Sequence, residues 1–127
     1  MRKIEYRVWD KEEKKFFEPT YEAYKGNLSE LLLSPSGRIC MRTIDKLKDE
    51  SLFPDRFILQ QYIGIIDPNG IKIFEGDIVK YWGGVGEVVY VEKDAAFEIK
   101  QTENDFNYFC KYEEVVGNVY ETPELLK

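Results

Sequence analysis

The residues best suited to acid–base chemistry are two carboxylates, Glu75 and Asp77, which are separated by a single glycine. In a regular strand they would share one face, where paired carboxyl groups can divide the roles of acid and base. The chain has no histidine, which excludes Ser-His and Cys-His nucleophilic sites and the commonest metal ligand. An aspartate beside Gly76 more often hydrogen-bonds backbone amides at a bend. We therefore predict a structural role for Asp77 and no enzymatic activity.

The glycine-rich segment Gly83-Gly84-Val85-Gly86 is a second stretch with the composition of a functional loop. It lacks the Lys-Ser/Thr ending of a phosphate-binding loop and opens no recognisable helix, so a hairpin connection is the favoured interpretation. Cys40 and Cys110 lie far apart without Cys-x-x-Cys spacing and are predicted to be buried thiols. Glu113 and Glu114 are interpreted as ordinary surface charges. We expect neither a cofactor nor a bound metal.

The strongest structural signal is the turn Asp67-Pro68-Asn69-Gly70, which lies between two apolar runs. Proline presets φ at the second turn position, and Gly70 can adopt the left-handed conformation that lets the chain return as a β-hairpin. Gly64, Gly76 and Gly117 fall within predicted strands, where glycine marks a bulge, a bend or a close backbone approach. These residues are therefore predicted to shape the fold rather than to bind a ligand.

The N-terminal part of the chain is predicted to form two hairpins. Residues 4–9 alternate in the manner of a strand, and residues 15–18 continue it after a charged turn. Residues 28–33 fit a short helix as well as a strand, but the Ser-Pro-Ser-Gly segment that follows favours a hairpin with residues 38–43. The charged residues 45–51 are predicted to be an exposed loop or frayed helical turn that links the two parts of the chain.

Strand signals continue in the C-terminal part of the chain. Residues 87–92 carry β-branched side chains on both faces, which is typical of a central, covered strand. Residues 97–100, 106–109 and 115–120 supply further strands, and short strands joined by tight turns suit a small barrel because closure removes exposed edges. Residues 122–126 can form a capped helical turn whose two leucines should dock on the body of the fold.

Three regions of the chain carry motifs that occur together. The middle region contains Gln61-Tyr62-Ile63-Gly64-Ile65, Asn69-Gly70 and Glu75-Gly76-Asp77-Ile78-Val79. The others are Arg7-Val8-Trp9-Asp10 near the start and residues 115–126 near the end. In these motifs the chain resembles the YopX-like family of phage and prophage proteins. The resemblance implies an SH3-like β-barrel in the C-terminal half, and it implies no known activity.

We therefore predict a mainly β fold, with a β-rich α+β fold as the alternative. Residues 1–56 are expected to form an N-terminal hairpin section with a charged linker, and residues 57–127 an SH3-like barrel with a docking tail. The first part carries a net charge of +1 and the second −7. A negative C-terminal half is a poor electrostatic match for nucleic acid or for an anionic membrane. With no long apolar window, the protein is expected in the cytoplasm of a bacterial host cell.

The expected function follows from the aromatic content, which is 15% of the chain. Aromatic and β-edge surfaces recognise protein partners, so we predict a non-catalytic binding module that serves a phage or prophage as an accessory protein. Apolar groups on both faces of some strands exceed what a small barrel can enclose, which predicts self-association into a homo-oligomer. The candidate binding surface comprises Trp9, Tyr62, Tyr81, Trp82 and Tyr120, although Trp9 is interpreted chiefly as core.

The alternative function is binding of single-stranded nucleic acid by the N-terminal hairpin. Aromatic rings stack unpaired bases, but this mode also needs a positive groove that follows the backbone. The acidic C-terminal half does not supply such a groove, so the alternative is disfavoured. Its basic residues would be Arg2, Lys3, Arg7, Lys14 and Lys15.

Overall fold

The computed structural model describes residues 2–102 and 105–126, and the chain is mainly β, as predicted. Within these residues the regular structure consists of β-strands and short 3₁₀ helices, without an α-helix. The 3₁₀ helices are Ala23–Lys25, Glu50–Leu52, Glu92–Asp94 and Pro123–Leu126. The strands are β1 (Tyr6–Asp10), β2 (Lys15–Phe16), β3 (Thr20–Glu22), β4 (Asn27–Leu33), β5 (Ile39–Thr43), β6 (Leu47–Asp49), β7 (Phe57–Ile66), β8 (Lys72–Phe74), β9 (Asp77–Tyr81), β10 (Gly84–Val91), β11 (Ala96–Thr102), β12 (Asp105–Asn107) and β13 (Glu114–Asn118).

The chain divides into two compact units. The N-terminal unit is Val8–Ile58, and the C-terminal unit combines Met1–Arg7 with Leu59–Lys127. The boundaries fall within β1 and β7, so the first residues of the chain belong with the C-terminal unit. The division into domains 1–56 and 57–127 stays a prediction.

The C-terminal unit contains an antiparallel sheet with the strand order β12-β11-β10-β9-β13. Strand β10 lies in the interior of this sheet, which confirms the central strand predicted from its β-branched residues. The glycine-rich segment is the predicted hairpin connection, with Trp82-Gly83 at its tip. The SH3-like character of this unit stays a prediction. The core of the unit is formed by Ile73, Val79, Val88 and Ile99, which are each at most 1% exposed.

The turn between β7 and β8 is the predicted one, and its first residue ties it to a distant strand. The Asp67 carboxylate accepts hydrogen bonds from the backbone N–H groups of Asn69 (2.9 Å) and Ile71 (2.8 Å), and from that of Val115 in β13 (3.1 Å). Burial alone would raise the pKa of this carboxyl, but these hydrogen bonds lower it on balance. Asp67 therefore stabilises both the turn and its attachment to β13.

A second tight turn joins β8 to β9 and explains the role of Asp77. Gly76 has φ of +89°, and the Asp77 carboxylate accepts a hydrogen bond of 2.8 Å from the Phe74 N–H. Asp77 thus stabilises this turn through a hydrogen bond to the backbone. Glu75 lies in the turn itself, outside both strands, so the two carboxylates do not share a strand face.

The C-terminal tail docks on the body of its unit, as predicted. A β-bulge at Val115–Gly117 interrupts the pairing of β13 with β9. A Cβ on Gly117 would lie 2.1 Å from Thr122 Oγ1 and 2.7 Å from Leu125 Cδ1, so only glycine leaves room for the tail. Asn118 N–H also donates to Thr122 Oγ1 at 3.0 Å. The side chains of Thr122 and Leu125 therefore pack directly against the backbone of Gly117.

The N-terminal unit contains the predicted hairpins. Strands β1 and β2 pair, with Trp9 opposite Phe16 and their rings in edge-to-face contact at 5.0 Å. The segment that was ambiguous between helix and strand is strand β4, and it pairs with β5 as favoured. The sheet has the order β3-β4-β5-β6. Asp10 and Arg56 form a buried ion pair in the same unit, with 2.9 Å between Oδ2 and Nη2.

The prediction of an exposed loop or frayed helical turn at residues 45–51 is wrong in part. Leu47–Asp49 is a strand of the sheet, and Glu50–Leu52 forms a 3₁₀ turn, so this segment is not a linker. The charges that suggested solvent exposure are used locally. Arg38 donates to both oxygens of Asp49, and the Asp49 carboxylate also caps the turn by accepting from the Ser51 N–H.

Candidate binding site

The residues predicted to form a binding surface lie in very different environments. Trp9 is 5% exposed and Tyr62 is 7% exposed, so both contribute to packing rather than to an accessible surface. Tyr81 is half-buried, Tyr120 is partly exposed, and Trp82 is 95% exposed. Trp82 is therefore the most accessible of the five predicted residues.

Trp82 belongs to an aromatic cleft in the C-terminal unit. The cleft is a cavity of about 310 Å³ with aromatic walls formed by Tyr81, Trp82, Tyr108 and Tyr112. Tyr108 and Tyr112 are 71% and 73% exposed. Sequence reasoning missed these two tyrosines because it predicted a strand at residues 106–109. The strand is Asp105–Asn107, so Tyr108 instead begins the irregular loop that leads to Tyr112. The cleft is completed by Gly83, Gln101, Asn107, Cys110 and Glu113.

Hydrogen bonds hold the walls of the aromatic cleft in place. Trp82 sits at the tip of the β9–β10 hairpin, where Gln101 Nε2 donates to the carbonyl of Gly83 at 3.1 Å. Asn107 Nδ2 donates to the Tyr81 hydroxyl at 3.5 Å. Burial raises the pKa of the Tyr81 hydroxyl, and the nearby charge of Asp105 raises it further. The tyrosine therefore stays protonated and can serve as a neutral wall of the cleft.

The opposite wall is organised by Glu113, which is only 2% exposed. Its carboxylate accepts hydrogen bonds from the N–H of Cys110 (3.0 Å), from the N–H of Lys111 (3.0 Å) and from Cys110 Sγ (2.9 Å). Burial alone would raise the pKa of Glu113, but these donors lower it on balance. The buried Glu113 carboxylate thus stabilises the loop that carries Tyr108 and Tyr112 by binding its backbone amides.

Two sequence predictions are wrong in this region. Glu113 is not a surface charge, because a turn places its carboxylate beneath the Cys110–Lys111 amides. Cys110 is exposed and Cys40 is half-buried, so neither cysteine is the buried thiol that was predicted. Spacing along the chain cannot show such a turn, since Lys111 adopts a positive φ of +76° that its residue type does not favour.

The chemistry of the aromatic cleft favours binding. Its nucleophile would be Cys110, but the hydrogen bond to Glu113, together with burial, raises the pKa of the thiol and so disfavours the reactive thiolate.

The described residues contain no group of three or more His, Cys, Asp or Glu side chains placed to hold a metal ion. Across residues 2–102 and 105–126, no helix has the length and apolar character needed to cross a bilayer.

A buried polar network lies elsewhere in the C-terminal unit. Arg7 Nε donates to Gln60 Oε1 at 2.7 Å, and the Arg7 guanidinium forms an ion pair with Asp77. Asn118 Nδ2 donates to Asp77 Oδ1 at 3.4 Å, while the Arg7 guanidinium lies 4.6 Å from the centre of the Phe74 ring. Arg7, Asp77 and Asn118 come from three separate segments on which the family resemblance rests. Those segments therefore encode structure.

Comparisons with known proteins show which family the chain belongs to and which solved structures it resembles. The model of the family described as YopX protein matches residues 5–127. The chain is similar to the crystal structure of protein EF1440 from Enterococcus faecalis, with 24% sequence identity, a TM-score of 0.62 and complete coverage of both chains. It is also similar to protein yopX from Bacillus subtilis, with 25% identity, a TM-score of 0.59 and coverage of 100% of this chain and 98% of the other. No curated protein matches the chain. The chain belongs to the YopX family.

Proposed function

We propose that this protein is a non-catalytic protein-binding module that also self-associates, and that it acts as an accessory protein of a phage or prophage in a bacterial host. The observation that carries the proposal is the aromatic cleft. Trp82, Tyr108 and Tyr112 expose most of their surface around one cavity. Large aromatic side chains are the residues that most often anchor protein interfaces.

The hydrogen bonds to the backbone around the aromatic cleft support the same function. The Gln101 side chain fixes the Trp82 hairpin, and the Glu113 carboxylate fixes the loop of Tyr108 and Tyr112. A surface that is ordered before binding loses less conformational entropy when a partner docks. The exposed rings of the cleft are thus carried by backbone segments that hydrogen bonds already hold before a partner binds.

A separate surface supports self-association. On the sheet of the N-terminal unit, the registers place Tyr21 opposite Leu28, Leu32 opposite Cys40, and Leu47 opposite Arg42. Alternation along the strands puts these residues on one face, which we call the apolar sheet face. Tyr21 and Leu47 are each 63% exposed and Leu32 is 42% exposed. An exposed apolar face of this kind is typical of an interface.

The charges of the apolar sheet face suit a second copy of the chain. Glu30 and Arg42 lie opposite each other in β4 and β5 and form an ion pair of 2.5 Å. Because the two charges cancel locally, two identical faces can approach without strong repulsion. A two-fold contact brings each face against itself, so balanced charge favours it.

The test of partner binding is affinity capture from a nuclease-treated host lysate, followed by titration of the purified captured protein. The bait variants are Trp82→Ala and Tyr112→Ala, and the matched control is Tyr24→Ala, which removes an 81% exposed tyrosine from the other unit. We expect both cleft variants to weaken binding at least about tenfold, as removal of an interface anchor does. Equal binding by all variants would refute the cleft as the interface.

Nucleic-acid binding by the N-terminal hairpin has weaker support. Arg7 is engaged by Asp77 and Gln60, and Lys3 lies 3.5 Å from Glu5. These contacts neutralise part of the basic set that would follow a phosphate backbone. Binding of a single-stranded oligonucleotide at low salt, lost in a Lys14→Glu/Lys15→Glu variant, would favour this alternative over protein binding.

A further inference from the structure

We propose that the aromatic cleft receives a cationic side chain of the partner protein, and that arginine is the residue it fits best. This inference rests on the proposed function, because it names the chemistry by which the cleft would recognise a protein. It makes arginine a specific requirement of the partner rather than one contact among many.

The first argument is the composition of the walls. Tyr81, Trp82, Tyr108 and Tyr112 surround a single cavity. Aromatic rings carry negative charge on their faces and attract a cation within about 6 Å of the ring centre, with tryptophan the strongest. A cavity of about 310 Å³ admits one long side chain, whereas it is small for a folded element.

The second argument is charge. Among the described residues that line the aromatic cleft, the charged side chain is the Glu113 carboxylate, and neither lysine nor arginine contributes to the lining. The charge of Asp105 also reaches the cleft, since it acts on the Tyr81 hydroxyl. The net charge of −7 on residues 57–127 adds a background potential of the same sign. Lys111, between two lining residues, carries an opposing charge but does not itself line the cavity, so the charges that face the cleft favour a cation.

The third argument concerns hydrogen bonding and distinguishes arginine from lysine. The lining offers acceptors in the Gly83 carbonyl, the Asn107 side chain and the tyrosine hydroxyls. Arginine presents a flat guanidinium with several N–H donors and can stack on a ring while it donates at its edge. The lysine ammonium is compact and more strongly hydrated, so it loses more when it enters an apolar cleft.

The exposed arginines of the sheet in this chain are unsuited to be the occupant. Arg38 is held by Asp49, and Arg42 is held by Glu30. Each would have to break an ion pair within its own unit before it could enter the cleft of another copy. The proposal assigns the occupant to a different protein. Loss of self-association in an Arg2→Gln variant, which removes the exposed arginine near the start of the chain, would overturn that assignment.

The test uses the full chain and four blocked pentapeptides that differ only in the central residue, which is arginine, citrulline, lysine or leucine. The readout is the indole N–H resonance of Trp82, assigned by its loss in a Trp82→Phe variant. The indole of the buried Trp9 provides an internal control. Citrulline keeps the shape of arginine but removes its charge, so this pair isolates the cationic contribution.

We expect the arginine peptide to shift the Trp82 resonance and to bind at least about fivefold tighter than the citrulline peptide. An Asp105→Asn variant should weaken that binding about twofold at low salt, and Tyr24→Ala should leave it unchanged. Equal or tighter binding of the citrulline, lysine or leucine peptide would overturn the inference. If the peptides gave that result while the Trp82→Ala bait still failed to capture the partner protein, only the inference about arginine would be refuted. If Trp82→Ala kept the partner, the proposed function would fail as well.

Discussion

Arg7 and Asp77 lie 70 positions apart in the sequence, yet the guanidinium of Arg7 donates directly to the Asp77 carboxylate. Asp77 is 1% exposed, and its second oxygen is used by the Phe74 N–H at 2.8 Å. The contact therefore joins the first strand of the chain to the turn between β8 and β9. It links two motif segments that are far apart in the sequence within the C-terminal unit.

The first prediction concerns the loss of this ion pair. Arg7→Met should lower the free energy of unfolding by about 3 kcal/mol, because it leaves the Asp77 charge buried without its cation. The measurement is urea denaturation at pH 7 followed by circular dichroism. The control is Arg38→Met, which breaks an ion pair whose side chains are 56% and 34% exposed and should cost less than about 1 kcal/mol.

A double-mutant cycle decides whether the two residues act through each other. Asp77→Asn removes the charge that Arg7 neutralises, so the combined variant should lose less stability than the two single variants together. Strict additivity would show that Arg7 stabilises the fold through its packing on Phe74 instead.

Local signals in the sequence were sufficient for much of this fold. The Asp67–Gly70 turn was predictable because proline and glycine restrict the backbone at fixed turn positions. Strand β10 was predictable as a central strand because β-branched residues on both faces need cover from both sides. In each case the causal residues lie within a few positions of the element that they determine.

The aromatic cleft was not predictable in the same way. Trp82 could be identified as an aromatic residue beside glycines, but its tyrosine neighbours come from a loop about 25 positions later. That loop is shaped by the buried Glu113, and Glu113 looks like an ordinary surface charge in the sequence. Trp9 lies in the core, as its favoured interpretation predicted, whereas Tyr62 is buried although it was a surface candidate, since the sequence does not show which side of a strand is covered.

The second prediction tests the close fit at the β8–β9 turn. Gly76→Ala should destabilise the protein by about 3 kcal/mol, since the residue has φ of +89° and its Cβ would lie 2.3 Å from Gln60 Nε2. Gln60 cannot move aside easily, because its Oε1 accepts from Arg7 at 2.7 Å. Urea denaturation provides the measurement.

Gly26→Ala is the matched control for this substitution. Gly26 has a similar φ of +77°, but an added Cβ meets no described heavy atom within 4 Å. It should therefore show only the conformational cost of about 1 kcal/mol. Equal losses in the two variants would mean that the contact with Gln60 is unimportant.

The third prediction concerns Glu98, whose Oε2 is buried and has no hydrogen-bond partner among the described residues. Burial raises the pKa of Glu98, and the nearby Asp94 carboxylate raises it further. A raised folded-state pKa means that stability is lost as pH rises from the unfolded value of about 4.3 through the folded value. Glu98→Gln should therefore stabilise the protein more at pH 7 than at pH 4.

The measurement for Glu98 is the urea midpoint at several pH values between 4 and 7. Glu92→Gln is the control, since Glu92 is an exposed residue of the neighbouring 3₁₀ turn. The same gain in midpoint at pH 4 and pH 7 would show that better packing, rather than removal of a buried charge, explains the effect.

The fourth prediction concerns the reactivity of Cys110. Its thiol is exposed, but the hydrogen bond to Glu113, with burial as a second cause, raises its pKa. In a Cys40→Ser background, Glu113→Gln should therefore speed alkylation by iodoacetamide at pH 7.5, because more thiolate is present. A full pH profile separates the causes. A lower apparent pKa supports the hydrogen bond, whereas a higher plateau rate at alkaline pH would indicate only better access.

The last prediction tests self-association through the apolar sheet face. Leu47 is 63% exposed at the edge strand β6 and faces the same side as the Glu30–Arg42 ion pair. Leu47→Glu introduces an unpaired charge into the apolar sheet face. A two-fold contact would bury this charge once in each of the two copies, so its desolvation cost is incurred twice. We expect wild-type protein to show a mass near twice 15.0 kDa by light scattering at micromolar concentration, and Leu47→Glu to return it to one chain. Leu52→Glu is a close control, because Leu52 is 65% exposed but lies in the 3₁₀ turn outside the sheet. A single-chain mass for wild type that does not change on tenfold concentration would refute self-association, and equal dissociation by both variants would place the contact elsewhere.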